Sequence, residues 1–321
     1  MDNLPLMLIV AALALHLLGE RQAAVRTGPQ GHRARLRALT FYAGLLTIAA
    51  AVTGPLNALA GELFWAQMIQ RLLLLAVAAP LIVLSRPWMS LQRPFSLRWR
   101  RAVARTLARV PVRGLSRALV LAPVAWIAFN VNTLFWHLPG PNDLTIQNTY
   151  VHIVEDVAFL VVAILFWAQV TRATLPYPQR IGYILTAMMI NVGLAIFLAF
   201  APHPLYSPYT QLAHRPGGIT ALADQQIGAG IMWAAGDIPF AIAIGLLVQR
   251  WLVTQEAMAT SLLGEPDAVS PAAVAARSGQ TLAAGSFRDD QSPGGDPASA
   301  PPLMSAPVID GGPAGRRESD P

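Results

Sequence analysis

Polar and ionisable side chains recur at helical spacing inside apolar stretches of the sequence. Two triads have members three and four residues apart: Gln67, Gln70 and Arg71, and His152, Glu155 and Asp156. Residues at this spacing share one face of an α-helix, so each triad would present its polar groups together. Imidazole and carboxylate groups can hold a metal ion, and polar groups inside a membrane-type helix are costly enough to indicate function. The sequence therefore predicts a polar pocket with metal-ligand chemistry.

Further candidates for this pocket lie in other stretches. The predicted metal ligands are His137, His152, Glu155 and Asp224. The other predicted pocket and ion-pair residues are Gln67, Gln70, Arg71, Asp156, Gln225, Met232 and Asp237. A structural alternative stays open, in which these groups hydrogen-bond to one another between helices at about 1 kcal/mol or less per contact. Met232 could be a soft copper ligand, but a methionine in an apolar helix more often serves packing.

The composition excludes several classes of protein. Of the 321 residues, 54% are hydrophobic and only 12% are charged, against roughly 25% charged residues in a soluble domain. There is no cysteine, and all 23 basic residues are arginine. These absences exclude disulfides, thiolate metal ligands, a phosphate-binding loop and a retinal Schiff base. Because no reaction motif is present either, we expect a membrane protein that is not an enzyme and binds no nucleotide.

Seven apolar stretches approach or reach the roughly 20 residues of a membrane-spanning helix. They are Leu4–Leu18, Leu39–Leu59, Leu63–Leu84, Ala118–Phe135, Val151–Val170, Ile181–Ala201 and Gln225–Val248. The first is short and could be a signal-peptide core, but basic residues follow it rather than precede it, which favours an uncleaved span. The expected fold is an all-α integral membrane protein, a seven-transmembrane-helix bundle.

The arginines predict how this bundle lies in the membrane. Residues 19–38, 85–117 and 171–180 carry five, nine and two arginines, whereas the alternate connections carry almost none. Because arginine-rich loops stay in the cytoplasm, we expect the N-terminus outside and the C-terminus in the cytoplasm. Most of the polar candidates then fall in the outer halves of the helices.

One arginine-rich segment has a helical pattern of its own. Arg98, Arg101, Arg105 and Arg109 form a stripe opposite an apolar stripe. This pattern predicts a basic amphipathic helix on the anionic lipids of the cytoplasmic leaflet. A partner or nucleic-acid site is the alternative. We prefer the lipid interpretation, and expect no nucleic acid, because the neighbouring spans hold this segment against the bilayer.

The last part of the chain differs in composition. Residues 256–321 carry nine acidic residues and four arginines and are rich in proline, glycine, serine and alanine. Such a segment buries too little apolar surface to offset the entropy of ordering it. We therefore predict a membrane domain at residues 1–255 and a disordered acidic tail at residues 256–321.

Five segments of the membrane domain together resemble the multi-span CtaG family of cytochrome c oxidase assembly factors. They are Phe64–Pro80 (FWAQMIQRLLLLAVAAP), Phe129–Pro139 (FNVNTLFWHLP), His152–Trp167 (HIVEDVAFLVVAILFW), Pro204–Tyr209 (PLYSPY) and Ala223–Trp233 (ADQQIGAGIMW). The resemblance implies a seven-helix protein of the bacterial inner membrane that assists oxidase biogenesis, with oxidase subunits as partners. It also implies a task in copper insertion, with copper as the candidate ligand.

Three positions depart from the motifs of that family. Where the family has histidine, this sequence has Gln67, Arg71 and Asp156, which removes three imidazoles from the implied site. A guanidinium at a ligand position repels a cation. An arginine within the membrane needs a carboxylate or carbonyl partner, so we expect Arg71 to pair with Glu155 or Asp156.

Three functions are compatible with these residues. The first is oxidase assembly with copper handling through an outward-facing polar pocket. The second is a degenerate relative that acts as a membrane scaffold and binds no metal. The third is a transporter with Arg71, Asp156 and Asp237 as a charge relay, although no internal repeat supports it. Haem held by His137 and His152 is a further alternative that we do not expect.

Overall fold

The computed structural model describes residues 4–27, 31–107, 121–172, 175–212 and 216–262, and every regular element among them is helical. In chain order they are α1 (Leu4–Thr27), α2 (His32–Val52), α3 (Pro55–Ala60), α4 (Phe64–Leu72), a π-helical segment (Leu73–Ala78), α5 (Ala79–Ser85), α6 (Trp88–Gln92), α7 (Leu97–Leu107), α8 (Ala122–Trp136), α9 (Pro139–Gln147), α10 (Thr149–Thr171), α11 (Tyr177–Ala199), α12 (Ser207–Thr210), a 3₁₀ turn (Pro216–Gly218) and α13 (Ala221–Leu262). The predicted all-α class is confirmed for the described residues.

Six of the described helices are long and apolar enough to cross a membrane. They are Leu4–Val25, His32–Val52, Phe64–Ser85, Thr149–Thr171, Tyr177–Ala199 and Ala221–Ser261. The predicted fourth span is not among them, because α8 has 15 residues. At 1.5 Å per residue it extends about 22 Å, against a hydrocarbon core of about 30 Å. Residues 108–120, which precede it, lie outside the described part of the chain.

The second predicted span, Leu39–Leu59, has different boundaries in the structure. α2 begins at His32 and ends at Val52, after which Gly54 adopts a φ of 76° and Pro55 starts the separate helix α3. Glycine adopts positive φ at little cost, and proline is favoured in the first turn of a helix. The break is therefore encoded by local residues that the apolar pattern concealed.

The third predicted span is one helix from Phe64 to Ser85, but its middle is the π-helical segment. π-helices are rare in proteins, and those that occur are often found at functional sites. The indole N–H of Trp167, on α10, donates to the Leu75 carbonyl within this segment at 2.9 Å. α10 thereby donates a hydrogen bond to a backbone carbonyl in the irregular part of the third span. This irregular part begins two residues after Arg71.

α10 packs against α8, α5 and the π-helical segment. Asn148 caps its N-terminus, since the Asn148 side-chain oxygen accepts from the backbone N–H of Tyr150 at 2.9 Å. The buried face of α10 joins an aromatic core that includes Phe129, Phe159, Phe166, Trp167 and Phe240. This packing sets the polar triad near the start of α10 beside the polar triad of α4.

α13 is longer than the predicted span Gln225–Val248 that it contains. Its 42 residues extend about 63 Å at 1.5 Å per residue, which is twice the roughly 30 Å of a hydrocarbon core. The helix continues through Leu262, into the segment assigned to the tail. The rest of that segment lies outside the described residues, so the disordered tail stays a prediction.

The predicted basic helix corresponds to α7. Arg98, Arg101 and Arg105 are exposed on it, and Trp99 stacks on Phe95 with ring centroids 4.2 Å apart. Arg109 lies outside the described residues. Binding of α7 to anionic lipids stays a prediction.

Candidate functional site: a buried arginine network

A buried ion pair between α4 and α10 lies at the centre of the polar cluster. Arg71 is 3% exposed and Glu155 is 1% exposed. Arg71 Nε donates to Glu155 Oε1 at 2.6 Å, and Arg71 Nη2 contacts the same oxygen. The guanidinium also lies 5.5 Å from the centroid of the Phe159 ring, within the range of a cation–π contact. Of the two carboxylates expected to pair with Arg71, Glu155 is the one that does.

His137, directly after α8, faces the same guanidinium. Its Nδ1 lies 2.6 Å from the Thr133 carbonyl oxygen. Because a carbonyl oxygen only accepts, Nδ1 carries the proton and Nε2 is the unprotonated nitrogen. Arg71 Nη1 lies 3.4 Å from this Nε2. The lone pair that a metal ion would need therefore points at a cation.

Gln70 connects the two triads. Its Nε2 lies 3.3 Å from Asp156 Oδ2 and 3.2 Å from both His152 Nε2 and Asn57 Oδ1. An amide nitrogen has two hydrogens, so these three neighbours share two donated protons. His152 Nδ1 lies 3.6 Å from Glu155 Oε2, and His152 Nε2 lies 3.7 Å from Asp156 Oδ2. His152 thus lies between two carboxylates, and 17% of its side chain is exposed.

A second layer of hydrogen bonds joins α4 to α9. Gln67 Nε2 donates to Thr145 Oγ1 at 3.1 Å, and Gln67 Oε1 accepts from Asn142 Nδ2 at 3.2 Å. The Tyr209 hydroxyl lies 3.2 Å from the same Gln67 oxygen. Burial raises the pKa of this Tyr209 hydroxyl above its ordinary value, so it stays protonated and can donate. The same hydroxyl lies 2.9 Å from the Ala60 carbonyl oxygen, so two acceptors share its one proton. Gln67 is therefore held mainly by its hydrogen bonds to Asn142 and Thr145 of α9.

Asp224, a predicted metal ligand, caps a helix. Its Oδ2 accepts from the Phe64 backbone N–H at 2.9 Å, and its Oδ1 accepts from the Trp65 N–H at 3.0 Å. These are the first N–H groups of α4, which have no partner within their own helix. A carboxylate also complements the positive end of the helix dipole. α13 therefore supplies the N-terminal cap of α4.

The remaining predicted residues of α13 lie among other partners. Gln225 Nε2 donates to the Leu198 carbonyl at 2.9 Å. Met232 is 3% exposed within an apolar cluster, as expected for packing. Asp237 Oδ1 lies 3.5 Å from Asn191 Nδ2, on α11. Asp237 thus has a different partner from the residues of the two triads. Its contact with Asn191 gives no support to a charge relay from Arg71 and Asp156 to Asp237.

The described residues contain no group of three or more histidine, aspartate and glutamate side chains suited to hold a metal ion. Arg71 contacts two of the expected ligands, His137 and Glu155, and a third, Asp224, caps α4. What remains is His152 between its carboxylates, next to two buried oxygens without a hydrogen-bond partner, Glu155 Oε2 and Gln70 Oε1. In the described part of the chain, Arg71 is the one arginine beside the two carboxylates of Glu155 and Asp156. These carboxylates can therefore take up a proton or accept a further hydrogen bond.

Several polar residues of the network come from short elements that sequence reasoning missed. Asn57 lies on α3, Asn142 and Thr145 lie on α9, and the Tyr206 hydroxyl donates to the His137 carbonyl at 3.0 Å. A polar residue in a short connecting segment does not interrupt an apolar run, so hydropathy gives no signal for it. Tyr206 lies within the PLYSPY segment, which is the one signal that pointed to this region.

A comparison with known families covers most of the chain. The profile of the cytochrome c oxidase caa3 assembly factor family, Caa3_CtaG, matches residues 14–254. The chain belongs to this family. The three positions that are expected to differ from the family motifs, Gln67, Arg71 and Asp156, all take part in the buried hydrogen-bond network. They therefore lie together in the fold.

Two curated relatives match a shorter part of this CtaG protein. They are an uncharacterized protein of Mycobacterium bovis and an uncharacterized protein of Mycobacterium tuberculosis, each 29% identical over 114 residues. The aligned segment is 34% of this chain and 17% of each relative's length. No solved structure matches the chain significantly.

Proposed function

We propose that this CtaG protein assists cytochrome c oxidase assembly as a membrane scaffold without a resident metal. The observation that carries the proposal is the contact of one guanidinium with the Glu155 carboxylate and the His137 imidazole. Arg71 would repel a metal cation at this place. Displacing Arg71 from Glu155 would also leave a buried charge unpaired, which is strongly destabilising.

The scaffold is proposed to cross a bacterial inner membrane seven times, with the N-terminus outside and the C-terminus in the cytoplasm. The six long apolar helices and the predicted fourth span, of which α8 is the described part, are taken as the seven crossings. The arginine-rich connections favour the orientation. In this orientation the Arg71 network lies toward the outer face. There it would hold α4, α8 and α10 in the arrangement that oxidase subunits recognise.

Complementation tests the scaffold. A strain that lacks the gene is complemented with the wild type, with Arg71→Gln and with His152→Ala, and oxidase activity is measured at equal protein amounts. The scaffold requires that His152→Ala restores activity and that Arg71→Gln does not. The matched control is Arg98→Gln, because it removes the same charge from the exposed face of α7. Full restoration by Arg71→Gln would contradict the proposal.

Copper handling at His152 is the second candidate function. The observation in its favour is the position of His152 between two carboxylates, one of which has an oxygen without a hydrogen-bond partner. Copper titration of the purified protein separates the candidates, with His152→Ala as the variant. Stoichiometric copper binding by the wild type that is lost in His152→Ala would support copper handling and contradict the metal-free scaffold.

A further inference from the structure

A second polar region lies at the other end of the bundle from the Arg71 network. It is a cavity of about 880 Å³ between the last turns of α1, the start of α2, the end of α5, α6 and the end of α10. Asp156 and Arg172 are 16 positions apart along α10, or about 24 Å at 1.5 Å per residue. The cavity is therefore separate from the site described above and lies at the end assigned to the cytoplasm.

The charged lining of this cavity is predominantly positive. Its charged residues are Arg37, Arg86, Arg93 and Arg172, with Glu20 as the acidic member. Glu20 already accepts a hydrogen bond from Ser90 Oγ and lies 3.7 Å from Arg93 Nη1. Within the described residues, Arg37 and Arg86 form no ion pair. An anion in the cavity would therefore meet the guanidinium groups of Arg37 and Arg86, which have no carboxylate partner in the described part of the chain.

The backbone at Arg86 is unusual. Arg86 has φ 52° and ψ 54° and is the one non-glycine residue with positive φ among the described residues. Residues with a side chain avoid this left-handed conformation, and such outliers cluster at binding sites and switches. The turn at Arg86 separates α5 from α6 and sets its side chain in the lining of the cavity.

The rest of the lining includes an exposed apolar surface and one buried polar atom without a hydrogen-bond partner. Trp88 and Met89 on α6 are 52% and 71% exposed, and Val83 and Ala168 border the same space. His16 also lines the cavity; it is 3% exposed and its Nδ1 has no hydrogen-bond partner. Because a buried polar atom without a partner is costly, it indicates that a polar group belongs there.

We propose that this cavity binds the phosphate headgroup of an anionic phospholipid. Guanidinium groups form paired hydrogen bonds with phosphate, and basic pockets between membrane helices on the cytoplasmic side bind such headgroups. The acyl chains would lie on Trp88 and Met89, which argues for a lipid rather than a free phosphate ion. The bound lipid would join α1, α2, α6 and α10. This site is distinct from the exposed arginines of α7 and does not depend on the function proposed for Arg71.

Lipid titration followed by native mass spectrometry tests the proposal. The full chain is purified, stripped of lipid in neutral detergent, and titrated with phosphatidylglycerol or with zwitterionic phosphatidylcholine. Phosphatidylglycerol binds with the higher affinity. Arg37→Gln and Arg86→Gln each weaken its binding about fivefold, and the double variant weakens it about thirtyfold. The matched control is Arg33→Gln with Arg250→Gln, two exposed arginines outside the cavity and outside α7, and it changes the affinity less than about twofold.

Three outcomes would overturn the proposal. The first is equal affinity for the two lipids, and the second is an equal loss in the control with Arg33→Gln and Arg250→Gln. The third is full displacement of phosphatidylglycerol by inorganic phosphate, which would assign the site to a soluble anion. Thermal unfolding checks that each variant is folded. Should Arg86→Gln unfold because of the left-handed turn, Arg86→Gly removes the same charge with a residue that favours this backbone.

Discussion

Arg71 carries its charge in a place that is almost closed to solvent, so its partners determine whether this part of the bundle is stable. Glu155 balances the charge, and Nε2 of His137 accepts a further hydrogen bond. A buried pair contributes little compared with hydrophobic residues of similar volume, but removal of one partner is costly. The two charges are therefore expected to be coupled energetically.

We predict that Arg71→Ala destabilises the protein by about 3–5 kcal/mol, because Glu155 keeps a buried charge without its partner. The double variant Arg71→Ala with Glu155→Gln should recover part of this loss, since the remaining amide is neutral. Thermal unfolding in detergent measures both. Arg98→Ala on the exposed face of α7 is the control and should be close to the wild type. Equal stability of the single and double variants would rule out the coupling.

Asp224 offers a second prediction at this scale. Asp224→Ala should cost about 1–2 kcal/mol, because the first N–H groups of α4 lose their cap. Asp224→Asn should cost less, since the amide oxygen still accepts one hydrogen bond. The measurement is again thermal unfolding, combined with copper titration. If Asp224 is a cap and not a ligand, copper stoichiometry is the same in both variants as in the wild type.

At the scale of elements, α13 approaches α4 closely enough that the size of a single residue matters. A Cβ added to Gly228 would lie 2.5 Å from Cδ1 of Phe64 and 3.2 Å from Cγ of Met68, whereas one added to Gly230 would meet no atom within 4 Å. Phe64 is fully buried and stacks on Tyr206 with centroids 4.7 Å apart. The ring therefore has little space into which it can move.

We predict that Gly228→Ala destabilises the protein by about 1–3 kcal/mol through overpacking. Gly230→Ala, two residues along the same helix, is the matched control. It should be neutral or stabilising, because alanine has the higher helix propensity. The difference between the two melting temperatures is the measured quantity. Equal melting temperatures would mean that α13 and α4 are farther apart than described.

The elements also differ in how far local sequence determines them. The break between α2 and α3 follows from Gly54 and Pro55, which any reading of turn residues can detect. The π-helical segment has a weaker local signal. LLLAVA is compatible with an ordinary α-helix, and Pro80, two positions after it, is of a kind that membrane helices tolerate. The Leu75 carbonyl within it accepts a hydrogen bond from Trp167, which is 92 residues away in the chain. A tertiary hydrogen bond of this kind is outside the reach of periodicity.

For the whole molecule, the absence of cysteine in all 321 residues makes the proposed topology directly testable. Leu138→Cys lies at the start of α9, on the side proposed to be outside, and Ser96→Cys lies just before α7, on the side proposed to be cytoplasmic. Both positions are exposed. A membrane-impermeant maleimide added to intact cells should label Leu138→Cys and not Ser96→Cys. Both variants should react after the membrane is opened, and the reverse pattern in intact cells would invert the orientation.

The sequence alone determined that this is a helical membrane protein of the CtaG family. The length of the apolar runs and the distribution of arginine govern membrane insertion and orientation without reference to tertiary contacts. The motif residues, likewise, are recognised from the sequence without knowing what they contact. Arg71 was predicted to need a carboxylate partner for the same reason, since the cost of an intramembrane charge is known in advance.

The tertiary structure decided which groups the candidate ligands contact. Glu155 rather than Asp156 pairs with Arg71 across 84 residues of sequence, and Asp224 caps α4 across 160 residues. The proton on His137 is assigned to Nδ1 only because the Thr133 carbonyl and Arg71 flank the ring. These outcomes depend on how α4, α8, α10 and α13 pack. Spacing within a helix places side chains on one face, but it does not say what that face meets.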